Sequence, residues 1–152
     1  MMRLDDATQL SSSLASPAAE PAAGIALCTT GAIAAALITK ACALSPDAGL
    51  EAELARANDL RAELLATAER DVAAFHAVIE ARRNGGDERE AWNVAGLVLR
   101  DAAALLAETH FLADDVAKRC RPALRGEPLA AALLAAGAER AALALAEIDE
   151  SA

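Results

Sequence analysis

Hydrophobic and polar positions alternate in three long stretches with the period of an α-helix. From Asp47 to Arg83 nothing interrupts that pattern. Leu50, Leu54, Ala57, Leu60, Leu64, Ala68, Val72, Phe75, Val78 and Ile79 fall on one arc at the helical period. Such a helix would be about 55 Å long at ~1.5 Å per residue. Asn84-Gly85-Gly86-Asp87 is a turn, and a second amphipathic helix is expected from about Glu88 to Cys120. Pro122, Gly126 and Pro128 break the chain again, and a last helix is expected from Leu129 to Asp149. Near the start, Asp5 to Ala15 fits a short helix using Leu4, Leu10 and Leu14, and Ser16 to Ala23 fits a Pro/Ala-rich loop. Ser45 suits an N-cap for the Asp47 helix, with Pro46 at its first position.

Gly24 to Leu44 departs from this pattern. It has no charge before Lys40 and no polar face. Small residues recur every four positions, as in Gly24, Cys28, Ala32 and Ala36, and again in Gly31, Ala35 and Thr39. A helix that is apolar all round is buried, in a protein core or in lipid. Roughly 20 apolar residues reach across a bilayer, and this segment meets that length. Four features favour the core: little Leu or Phe bulk for lipid, Lys40 inside the segment, no aromatic belt, and no second such segment to pair with. The expectation is an all-α antiparallel bundle around this Ala/Gly-rich helix. Its long amphipathic helices exceed what one chain covers, so a homodimer is expected.

Composition narrows the picture. The 152 residues suit one domain spanning 1–152, and aromatic residues make up only 2 %, so Ala, Leu, Val and Ile must fill the core. The net charge of −9 argues against nucleic acid as a partner. Cys28, Cys42 and Cys120 form no CxxC and are expected to be buried free thiols. Met-Met-Arg-Leu-Asp-Asp lacks a signal peptide's pattern, so a cytoplasmic protein is expected. Zinc-protease, P-loop and dinucleotide fingerprints are missing from the sequence.

Two ionisable residues stand out. Asp71 lies inside the apolar arc, one turn before Phe75. A carboxylate there must be paired, hydrogen-bonded or protonated. It is either a structural partner of Arg61 or Arg82, or a general acid or base. His110 lies at the edge of the next helix's apolar arc, with Asp114 at i+4. It is an interface histidine or a site residue. His76 has the same spacing to Glu80 but lies on a polar flank.

Two stretches resemble the formiminotetrahydrofolate cyclodeaminase and methenyltetrahydrofolate cyclohydrolase family. Pro21-Ala22-Ala23-Gly24-Ile25-Ala26, followed by Leu27 to Ala43, matches the family's Pro-x-Pro-Gly-Gly-Gly-Ser loop and its Ala/Gly-rich helix. Glu69-Arg70-Asp71-Val72-Ala73-Ala74-Phe75 matches its Asp-Ala-x-Ala-Phe motif on a long helix. Ala138 to Asp149 is similar to its terminal helix. The resemblance implies an all-helical dimer in one-carbon metabolism. Its substrate would be a reduced folate or a methanopterin-type relative, with no tightly bound cofactor and no metal. Asp71 would be catalytic, and Gly24, Ile25, Phe75, Arg82 and His110 would bind the pterin. The chain departs from the family in four places. Only Gly24 remains of three glycines, with Ala26 in place of the Ser, Arg82-Arg83-Asn84-Gly85 replaces Leu-Pro-Lys, Arg125-Gly126-Glu127-Pro128-Leu129 replaces a Gly-Asn and Ser-Asp pair, and Ala-Leu-Ala-Glu-Ile-Asp replaces an Asn-rich helix end. These losses raise an alternative, a non-catalytic helical module that dimerises or binds a partner.

Overall fold

A computed structural model describes residues 5–19 and 22–152. Leu4 of the first helix, the start of the chain, and Pro21 of the family motif lie outside them. Among the described residues there are five α-helices, two short 3₁₀ turns and no strand. The helices are α1 (Asp5–Leu14), α2 (Ala23–Ala43), α3 (Glu51–Asn84), α4 (Glu88–Arg119) and α5 (Gly126–Glu150).

The chain between α2 and α3 differs from the simple N-cap expected. Pro46–Ala48 forms a 3₁₀ turn, and Gly49 follows at φ 64° and ψ 47°, a left-handed conformation that suits glycine. Leu50 then plugs into the core, so α3 begins at Glu51 rather than Asp47. Ser45 caps no helix. Its buried hydroxyl accepts the Arg121 N–H at 3.0 Å and ties this break to the one after α4. The second turn matches expectation: Gly85 closes α3 in the left-handed region, and Asp87 caps α4 by accepting the Glu90 N–H at 3.0 Å. α5 starts three residues early, at Gly126. Pro128 fits within its first turn, where a missing N–H leaves no hydrogen bond unmade.

Ion pairs fix how the helices run. Along α3, Glu53, Arg56, Arg70 and Arg82 meet Arg119, Glu108, Asp101 and Glu88 in turn. The partner numbers fall as the α3 numbers rise, so α3 and α4 are antiparallel. α2 and α5 are antiparallel too, since Lys40 pairs with Glu127 at 2.9 Å while Gly24 lies near Asp149. All these pairs are exposed to some degree, and solvent screens exposed pairs. They report register more than they supply stability.

α2 lies against α3, α4 and α5. Its small residues let those helices come close. A Cβ added at Gly31 would lie 3.0 Å from Leu64 Cδ1 and would collide with Leu106, and both leucines are fully buried. Cys28, Ala34, Ala35, Ile38 and Ala41 are also fully buried. Burial does not run all round the helix, however. Ile33 is 53 % exposed, and it continues a stripe with Ala26 and Thr30 on the outer face. The expectation of a single membrane-length segment also needs correction. Pro122–Glu150 is, like Ala23–Ala43, long and apolar enough to cross a membrane. Alanine at exposed positions of α5 explains it, because it reads as apolar whichever way it faces. The three cysteines are free and buried, as expected. Burial first, and then the charge of Asp71, pushes the Cys28 thiol up to about 11.

Candidate functional site

The first turn of α2, the middle of α3, the start of α4 and the end of α5 enclose a cavity of about 160 Å³. Its charged members among the described residues are Asp71 and Asp149. Gly24 faces Asp71 so closely that a Cβ there would lie 2.8 Å from Oδ1, and nearer still to Oδ2 and Cγ. Glycine is therefore required for the carboxylate to occupy its place. That place is also beside the positive end of α2, which favours a negative charge.

α3 supplies the floor. Asp71, Val72 and Phe75 lie within about one turn of each other, so all three reach the cavity. α4 supplies Trp92, Ala95 and Leu99 at a spacing of three and four residues, on one helix face. The Phe75 and Trp92 rings meet edge to face, with centroids 6.4 Å apart. Leu145 and Asp149 complete the wall from α5.

Burial raises the Asp149 pKa, and the charges of Asp71 and Glu150 raise it further. Two carboxylates facing one partly apolar space resist ionising together. Such a pair can take up or give up a proton. The aromatic walls accept a flat ring.

Gly24, Ile25, Asp71 and Phe75 thus come together at this cavity. Gly24, Ile25 and Ala26 lie in the first turn of α2, which begins at Ala23. Arg82 and His110 do not line the cavity. Arg82 pairs instead with Glu88 across the turn. The Arg82 guanidinium holds the Glu88 carboxyl below the usual range. His110 lies eleven residues beyond Leu99 on α4, roughly 16 Å along the helix axis. Its Nδ1 is 3.0 Å from the Ala132 carbonyl oxygen of α5, and Nε2 is 3.5 Å from Asp114. It joins two helices, in keeping with an interface histidine. His76 is exposed.

Trp92, Leu145 and Asp149 also line the cavity, and no local pattern in the sequence brings them together. The acidic end of the last helix is the one local pointer to Asp149. Among the described residues no group of three His, Cys, Asp or Glu side chains is placed to hold a metal ion. The formiminotransferase-cyclodeaminase family model matches residues 6–149. No curated protein matches the chain.

Proposed function

The chain belongs to the formiminotransferase-cyclodeaminase family, and from that premise we propose that it binds a reduced folate-like pterin in the Asp71 cavity and works on its one-carbon bridge. Family membership fits folate one-carbon metabolism. The observation that carries the proposal is the juxtaposition of Asp71 with Gly24 in a cavity that Phe75 and Trp92 also line. The reaction we propose is methenyl-pterin cyclohydrolysis or its relative, formimino-pterin cyclodeamination. In the first, water forms a C–O bond to the cationic bridge carbon and gives a proton to Asp71. The neutral adduct then breaks one C–N bond. Its hydroxyl proton moves to the departing nitrogen, a formyl group remains, and Asp71 returns its proton to solvent. In the second, the neighbouring pterin nitrogen forms a bond to the formimino carbon, its proton and one more from protonated Asp71 or solvent pass to the formimino nitrogen, and the C–N bond to that nitrogen breaks to release ammonia and leave the cationic bridge. A methanopterin-type carrier would present the same bridge.

The test is thermal. A reduced folate at about 100 times its dissociation constant should stabilise the protein by ~2.7 kcal/mol. No shift with reduced folate or tetrahydromethanopterin would overturn the pterin reading. That result would favour the second reading, a helical module without the chemistry, which the loss of two of the motif's three glycines supports.

The antiparallel pairs support an antiparallel bundle built around α2. Exposed apolar residues support a homodimer. Leu133 is 78 % exposed beside a groove between α2 and α5 lined by Ala26, Thr30, Leu134 and Gly137. Size-exclusion chromatography with light scattering should give twice the 15.5 kDa chain mass, and a stable monomer would overturn the dimer. The acidic net charge and Lys40 within α2 support a cytoplasmic protein with no nucleic-acid or membrane partner.

A further inference from the structure

We propose that Arg100 of α4, through its two-point contact with Glu150, is a positioning residue that holds the last turn of α5 in place as the fourth wall of the cavity. What this clasp does for turnover rests on the pterin reading, whereas the wall itself exists with or without a ligand.

The last turn of α5 is poorly suited to hold itself. It carries Glu147, Asp149 and Glu150 and no basic residue. A helix ends on carbonyl groups of partial negative charge, so acids there weaken the turn and cations strengthen it. The Ser151 hydroxyl donates to the Glu147 carbonyl at 2.6 Å, which satisfies one acceptor but brings no positive charge. Yet this end of α5 supplies Leu145 and Asp149 to the cavity.

Arg100 brings the missing cation from α4. Its Nε and Nη2 donate to the two Glu150 carboxylate oxygens at 2.5 and 2.6 Å. A two-point contact of this kind fixes direction as well as distance. One turn earlier on α4, Gly96 lets α5 come close. A Cβ there would lie 2.7 Å from Glu150 Cγ and 3.2 Å from the Ala146 carbonyl oxygen. Gly96 and Arg100 therefore meet Ala146 and Glu150, each pair being four residues apart and on one face of its helix. Leu145 and Asp149 immediately precede those two α5 residues, about 100° round the helix. Fixing Ala146 and Glu150 against α4 thus fixes where Leu145 and Asp149 stand. Neither Arg100 nor Glu150 lines the cavity, so the pair acts through α5 rather than on a ligand.

Trp92 is the chain's single tryptophan, lines the cavity and is half-buried. Acrylamide quenching of its fluorescence therefore reports how open the site is in the free protein. Arg100→Gln should raise the quenching constant by about twofold, as the end of α5 opens locally. In the same variant KM for methenyltetrahydrofolate should rise about two- to fivefold, with kcat close to that of wild type. Arg100→Glu should do at least as much. Combining it with Glu150→Arg rebuilds the pair in reverse and should restore both readings. Helix content and melting temperature should move little, because the pair is partly exposed. Unchanged quenching in Arg100→Gln overturns this inference and leaves the pterin reading standing. A reversed pair that folds but does not restore the quenching also overturns it. If the wild type neither binds nor turns over a reduced folate, the pterin reading falls, and the quenching series decides the clasp by itself.

Discussion

Asp71→Asn should reduce turnover of methenyltetrahydrofolate by about 10²–10⁴-fold, the range for losing a positioned acid or base. The substitution keeps the size of the side chain and so keeps its fit against Gly24. Asn can neither accept the proton released by the attacking water nor offset the cationic bridge. The loss should appear mainly in kcat, because the aromatic walls that hold the ring remain in place. Helix content by circular dichroism should stay unchanged. Full activity in Asp71→Asn would remove this residue from the chemistry. A large fall in melting temperature with turnover intact would make it a structural partner, the other role open to a carboxylate on an apolar arc.

Gly24→Ala should separate stability from function in a single methyl group. Alanine is favoured over glycine within a helix by roughly 1 kcal/mol. Asp71 is the neighbour that must give way, since its carboxylate occupies the space the Cβ needs. A carboxylate is the far end of a short side chain and can rotate without disturbing the backbone of α3. The folded protein should therefore keep or slightly gain melting temperature while losing folate binding and turnover. A second substitution tests the cause. With Asp71→Ala already present, Gly24→Ala should do no further harm, because the group it displaces is gone. Equal losses in both backgrounds would show that Gly24 matters for some other reason. Normal binding in Gly24→Ala would show that the close approach is not needed.

The two substitutions draw on different kinds of information. Asp71 stood out in the sequence because local periodicity alone placed a charge on an apolar arc, and because the residues around it match a family motif. The need for Gly24 beside it could not be read locally. It depends on α2 and α3 meeting at that point, some 47 positions apart along the chain.

The sequence by itself determined the helices. The period of α3, α4 and α5, the Gly85 stop and the Asp87 cap are local properties, set within a few residues. Local propensity also determined that α2 would be central, since a helix of small apolar residues has few other places to go. Tertiary structure decided what those helices share. Gly49 and Leu50 shortened α3 because Leu50 had a core to fill, and Ser45 left its cap to hold Arg121 across the bundle's end. Arg82 was drawn to Glu88 across the turn, and His110 to the Ala132 carbonyl on α5. Asp149 became part of the cavity only when the end of α5 returned to the start of α2. Helical period is written residue by residue. The meeting of side chains from four helices depends on crossing points and register, which no single helix encodes.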